Sequence, residues 1–271
     1  MSKLTDAHIE ELDREGFIIV PDFVSGDKLK SLQAAQRRVL PTWEQIKADP
    51  PQDQAGHSLL KCFPHEEMEL YQAAMDEESL AFARKWLKTK DLHARVGCLI
   101  ARYPGHTGGG SGFDDSGLHI DNGNNSLLPQ SEDLREFGQI GFWIHLEDVE
   151  EDQAPLRLVP KRHGRDMTKC VPLVCKGGTL CVFTNFTWHS ASAYTRKDGQ
   201  RFTWGYAFGR ADPPLFRLLE QGIRPWLERP KMGRTRLRRR GPKPSSGGML
   251  QDNSLIQRQN FPSIQLRCPN T

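Results

Sequence analysis

The sequence of 271 residues lacks any long hydrophobic run. No stretch approaches the roughly 18 apolar residues that a spanning helix needs, and mean hydropathy is −0.60, which excludes a helical membrane protein. The opening MSKLTDAHIEELDREG has no apolar core, so no secretory signal is expected. None of the six cysteines (62, 98, 170, 175, 181 and 268) forms a CxxC pair, so neither a zinc ribbon nor a redox pair is indicated. Four of them sit in or beside apolar, strand-like runs, where a reduced thiol behaves as a small hydrophobe; a cytoplasmic location is expected. There is no internal repeat. The Gly-rich stretch GHTGGGSGFDDSG (105–117) lacks the Gly-Lys-Ser/Thr ending of a phosphate loop and reads as a surface loop or a lid. The glycosylation-type triplets at Asn124 and Asn185 read as chance matches.

Charge is close to balanced overall, at +3, but unevenly placed. Residues 229–271 hold ten Lys/Arg against the single acid Asp252, leaving the other 228 residues at −6. That last stretch, with its RTRLRRR run at 234–240, lacks periodicity and is expected to be a disordered basic tail. A nucleic-acid contact is expected only through it, if at all. The remaining 1–228 reads as one domain. Its first part, to about residue 90, is mainly helical: Thr5 caps a helix over 6–15 stopped by Gly16, FIIV (17–20) is a strand, and Ser25 opens a second helix. Residues 47–58 form a polar loop, and a long amphipathic helix follows over 66–87.

From about 94 to 210 short β-like runs are separated by Gly, Pro, Asn and Asp. They are 94–103, 117–121, 138–149, 155–160, 178–185, a run near 189–195, and 201–208, with a short helix expected at 214–221. Such spacing predicts a sandwich or barrel, mainly β with flanking helices.

The chemistry is concentrated in His119-Ile120-Asp121. Side chains alternate along a strand, so His119 and Asp121 share a face and offer an imidazole and a carboxylate to one metal ion. His189, just after the apolar run GTLCVFTN, is a candidate third ligand. Two His and one carboxylate on one side of an octahedral ion make the facial triad of non-haem Fe(II) oxygenases. Twelve residues later Arg201, with Thr203 on the same strand face, suits the buried far carboxylate of a 2-oxo acid. In QIGFWIHLED, Gln139, Gly141, Trp143 and His145 take the face opposite Ile140, Phe142, Ile144 and Leu146, and the polar set belongs to the cavity.

This pattern resembles the phytanoyl-CoA dioxygenase family of Fe(II)/2-oxoglutarate oxygenases. FWIHLEDVEEDQAPLRLVPKRHG is similar to a family segment, as is the opening LTDAHIEELDREGFIIVPDFVS, and the likeness covers roughly residues 4–210. It implies a double-stranded β-helix, a jelly-roll of cupin type. It further implies His119, Asp121 and His189 as iron ligands, Arg201, Thr203 and Trp143 around 2-oxoglutarate, and oxidation of a small organic substrate by O2 with release of succinate and CO2. Related halogenases have a small residue at the carboxylate position, so Asp121 favours hydroxylation or a related oxidation.

Three positions depart from the family pattern: Ala154 stands for a turn Gly, Arg162 for a Ser, and His145 for a small residue on the cavity face. His145, Gln139 and Asn122 are the candidate substrate contacts, whereas His93, His106 and His163 read as ordinary polar residues. The alternative reading is a non-catalytic metal- or 2-oxoglutarate-binding sensor or scaffold, its tail contacting nucleic acid.

Overall fold

The computed structural model describes residues 3–52, 57–108, 117–121 and 138–211. The expected helix at 214–221, the basic tail, Asn122 and most of the Gly-rich loop lie outside the described residues.

The chain begins with α1 (Asp6–Glu15) and β1 (Phe17–Val20), as the capping signals predict. The Thr5 amide donates to His8 Nδ1 at 3.2 Å. Gly16 at φ 83° ends the helix, its N–H returning 2.8 Å to the Leu12 carbonyl, a left-handed turn that costs a glycine little. Next come α2 (Gly26–Val39) and α3 (Trp43–Ala48), then β2 (Ser58–Cys62). The single helix expected over 66–87 is two, α4 (Met68–Ala74) and α5 (Glu77–Leu87). Asp76 starts the second, with Glu77 and Glu78 in its first turn, where acidic side chains favour a helix N-terminus.

Strands β3 (Leu92–Arg102), β4 (Gln139–His145), β5 (Arg157–Leu158), β6 (Val171–Pro172), β7 (Leu180–Thr184), β8 (His189–Ser190) and β9 (Arg201–Arg210) follow. They form two antiparallel sheets, a large one in the order β1-β7-β4-β9-β3-β2 and a small one in the order β6-β5-β8. His119 extends the small sheet through a bridge to His189. The expected mainly-β fold with flanking helices, a jelly-roll core, is the fold observed. Strands β2 and β6 are additions to the sequence reading, and β2 takes the end of the polar loop expected over 47–58.

Alternation along the large sheet sorts its side chains into two layers. Leu99, Ala101 and Tyr103, Ile140, Phe142 and Ile144, and Phe202, Trp204 and Tyr206 join one apolar core with Leu32, Leu70, Phe82, Trp86 and other helical residues. Phe183 and Cys181 on the opposite face pack with Leu158 and Leu173 in a smaller cluster. One face of the large sheet is therefore sealed by helices, and the other meets the small sheet around a cavity. Among the described residues no helix is long and apolar enough to cross a membrane.

Candidate metal centre and its cavity

His119 and His189 are a cross-strand pair: the His119 amide donates to the His189 carbonyl at 3.0 Å, and the reverse bond is 2.9 Å. Residues paired in this way project to the same side of the sheet, and their imidazole centroids lie 4.3 Å apart. Asp121, two residues along from His119, brings its Oδ1 to 4.0 Å from His119 Nε2 and 3.6 Å from His189 Nε2. One ligand atom from each of the three lies within 4.8 Å of the others. His189 is buried, while His119 and Asp121 are exposed. Burial holds the His189 imidazole below its ordinary pKa, Asp121 opposing that shift.

Both imidazoles are oriented in the same manner. Nδ1 of His119 lies 2.9 Å from the Gly117 carbonyl, and Nδ1 of His189 lies 2.9 Å from the Thr187 carbonyl. A carbonyl only accepts, so each Nδ1 carries the proton and each Nε2 keeps a free lone pair turned toward Asp121. The donor set fits a first-row divalent metal of the facial-triad kind.

Beside the three side chains is a cavity of about 210 Å³ lined by residues of both sheets. Its floor on the large sheet follows from register. Arg102, Ile100 and Cys98 of β3 lie opposite Arg201, Thr203 and Gly205 of β9, and Thr203 and Gly205 lie opposite His145 and Trp143 of β4. Of these, Ile100, Arg102, Trp143, His145, Arg201 and Thr203 line the cavity with the three metal-type ligands. The Trp143 indole stacks on Phe183, centroids 5.8 Å apart at 12°.

Arg201 is buried, and its Nη1 donates to the Ala154 carbonyl. Its Nε is sealed from water without a partner, and no carboxylate among the described residues pairs with it. Burial, with Arg102 adding to it, pushes its pKa down to about 9, so it stays charged at neutral pH. A buried cation without an anion calls for one from a ligand. Thr203 places Oγ1 3.5 Å from Nδ1 of His145. His145 is fully enclosed, its pKa pushed down to about 3 by burial and then by Arg201, so it is neutral.

The structure thus brings together His119, Asp121, His189, Arg201, Thr203, Trp143 and His145. Gln139 is not among the lining residues; it pairs with Gly209, four residues along the strand from Trp143, and its backbone N–H donates to Asn185 Oδ1 at 2.9 Å. Asn185 is itself buried, which suits the chance reading of its triplet. Arg102 escaped the sequence reading, in which His106 is an ordinary polar residue. Arg102 lines the cavity, and His106 is buried with its pKa pushed down to about 3, first by burial and next by Arg102 and Arg201. A charge at the end of the apolar strand GCLIARY was the available signal for Arg102.

The sequence model described as phytanoyl-CoA dioxygenase (PhyH) matches residues 12–201. No curated protein sequence matches the chain. Among solved structures, HygX from Streptomyces hygroscopicus, crystallised with nickel and 2-oxoglutarate, is similar with a TM-score of 0.55 and 15% identity, covering 77% of this chain and 88% of its own. The epimerase SnoN of nogalamycin biosynthesis gives 0.54 and 15%, covering 76% and 82%. EvdO2 from Micromonospora carbonacea var. aurantiaca, complexed with 2-oxoglutarate, gives 0.52 and 14%, covering 78% and 94%. At such identities these likenesses establish the fold.

Proposed function

The chain belongs to the phytanoyl-CoA dioxygenase family of iron- and 2-oxoglutarate-dependent oxygenases, and from that premise we propose that it hydroxylates a C–H bond of a small organic molecule. In balance, substrate, O2 and 2-oxoglutarate give hydroxylated product, succinate and CO2. The observation that carries the site assignment is the buried Arg201, its Nε without a partner and its charge without a carboxylate among the described residues, in the same cavity as the His119–Asp121–His189 cluster.

In this reading His119, Asp121 and His189 hold the iron, which supplies the redox chemistry with O2. The chain's own residues do the positioning. Arg201 receives the far carboxylate of 2-oxoglutarate, its free Nε supplying the donor that the folded chain leaves unused. Thr203, beside it on the same strand face, offers a hydroxyl to that carboxylate. Trp143, fixed on Phe183, forms one wall of the cosubstrate's slot. His145 is uncharged and keeps Nε2 without a partner, a donor or acceptor available to a bound molecule. A volume of about 210 Å³ is below the roughly 300 Å³ at which pockets begin to enclose drug-sized ligands, which suits a small diacid. Placing the bond to be oxidised toward the exposed His119 side follows from that limit. Asp121 supplies the carboxylate ligand and so argues against halide in its place. Structures similar to this chain include an epimerase and a carbocyclase, and product analysis distinguishes hydroxylation from those outcomes.

Anaerobic titration of the apoprotein with Fe(II) and 2-oxoglutarate, following the visible charge-transfer band of the chelated keto acid, tests the assignment. Wild type is expected to develop the band, and Asp121→Ala to lose or shift it. Arg201→Met should weaken 2-oxoglutarate about 10- to 150-fold, the equivalent of one charge-assisted hydrogen bond. A folded wild type without the band overturns the site. Product mass after turnover under labelled O2 then separates hydroxylation from other oxidations.

A further inference from the structure

Arg102 is a second guanidinium in the cavity that the reaction as proposed does not use. It lies on β3 directly opposite Arg201 on β9. Alternation puts both on the cavity face, and both line the cavity. The side chain is half-buried. Nη1 donates to the adjacent Ala101 carbonyl at 3.0 Å, while Nε is sealed from water and has no partner. No carboxylate among the described residues forms an ion pair with it. The ionisable groups coupled to it are the buried Cys98 thiol, Arg201 and His106, and His106 is also buried with an unpartnered Nε2. The corner of the cavity beneath β3 and β9 therefore gathers two guanidiniums and, among the described residues, no carboxylate that pairs with either.

Charge accounting sharpens this. Among the described residues, the charged side chains lining the cavity are Arg102, Arg201 and Asp121. A divalent metal and dianionic 2-oxoglutarate cancel one another, which leaves two guanidiniums facing one carboxylate. One positive charge stays uncompensated in a site where an unpaired ion is costly. Two carboxylates of 2-oxoglutarate are already assigned, one to the metal and one to Arg201.

We propose that Arg102 is a specificity residue that binds an oxyanion, a carboxylate or a phosphate, carried by the substrate, so that the enzyme selects anionic small molecules. This rests on the oxygenase reading above. A planar guanidinium with free N–H groups receives either oxyanion through paired hydrogen bonds. The substrate's anionic group then lies under β3, and the bond to be oxidised lies toward His119.

Calorimetric titration of the Ni(II)-loaded protein, which does not turn over, provides the test. In the first arm 2-oxoglutarate is titrated into wild type, Arg102→Gln and Arg201→Met. Arg102→Gln should bind it within about threefold of wild type, whereas Arg201→Met should lose about 10- to 150-fold. In the second arm acetate and inorganic phosphate are titrated into the Ni(II)–2-oxoglutarate complex. Wild type should bind one of them with millimolar affinity, Arg102→Gln should lose it, and Arg102→Lys should retain part of it. Preference for acetate assigns a carboxylate substrate, and preference for phosphate a phosphorylated one.

If Arg102→Gln weakens 2-oxoglutarate as much as Arg201→Met does, Arg102 serves the cosubstrate and the proposal fails. It fails equally if neither anion binds wild type. Should wild type bind no 2-oxoglutarate at all, the oxygenase assignment of the cavity falls instead. Anion binding by the Arg201→Met protein, compared with the Arg102→Gln/Arg201→Met double variant, then still reads Arg102 alone.

Discussion

Ala154 has φ 55°, in the left-handed region that an alanine side chain disfavours. It is also buried, and its carbonyl receives Arg201 Nη1. The bend aims that carbonyl at the guanidinium, so the strain lies in the backbone that positions the proposed cosubstrate anchor. Its place in the chain is one where the resemblance leads a glycine to be expected. Ala154→Gly should therefore stabilise the protein by about 0.5–1 kcal/mol, after the extra freedom glycine brings to the unfolded chain is offset. For a domain of this size that is a rise in Tm of about 1–4 °C, read by calorimetry or dye-monitored melting. A lowered Tm shows the alanine to be the better fit at that bend.

At the scale of the element, Gly205 sits mid-strand in β9, where a methyl group would come within 2.4 Å of the Trp143 ring. Strand β9 pairs on both sides, with β3 and β4, and cannot easily yield. Gly205→Ala is expected to cost about 1–3 kcal/mol, the range for overpacking, and to weaken 2-oxoglutarate by displacing the indole. Urea denaturation and 2-oxoglutarate titration measure the two effects. In a Trp143→Ala background the stability penalty should shrink, because the two side chains are coupled. Elements with their own local signals were legible in the sequence. Helix α1 has its cap and its glycine stop, and β4 has an unbroken two-residue alternation that sorted Trp143 and His145 onto the cavity face. The break between α4 and α5 was not legible, because both helices bury apolar residues in the same core and the helical period carries on across Met75. Strand β2 was missed as an edge strand with Leu60 and Cys62 exposed, which erases the alternation. Arg102 was hidden for another reason. Strand β3 has a register shift between Ala94 and Val96, so even-numbered Leu92 and odd-numbered Leu99 both pack in the helical core. A bulge reverses facing along the strand, and only the pairing with β9 puts Arg102 beside Arg201.

For the whole molecule, the enclosed histidine couples folding to pH. His145 is neutral in the fold, its pKa pushed down to about 3, against 6.5 for the free side chain. Between those values the unfolded chain binds a proton that the folded chain refuses, so stability rises with pH across that window and falls as the solution is acidified below about 6.5. His145 alone should contribute a loss of about 1.4 kcal/mol on going from neutral pH to about 5.5. His106 acts in the same direction. Denaturant midpoints of the metal-free protein measured across this range should decline, and His145→Gln should flatten the decline. A slope unchanged by that substitution shows His145 to be protonated in the fold.

The two imidazoles of the triad share one further property through their Nδ1 partners, the carbonyls of Gly117 and Thr187. Where a metal-bound histidine leans on a carboxylate, that anion makes the ring a stronger electron donor and tightens the metal. A peptide carbonyl is neutral and lends far less. Asp121 then supplies the only full negative charge in the cluster, which leaves a bound cation electron-poor and readily exchanged. Under the proposed ligand assignment, such a centre would be open to replacement by whichever divalent ion the surroundings hold in excess, and turnover would depend on iron supply as much as on substrate.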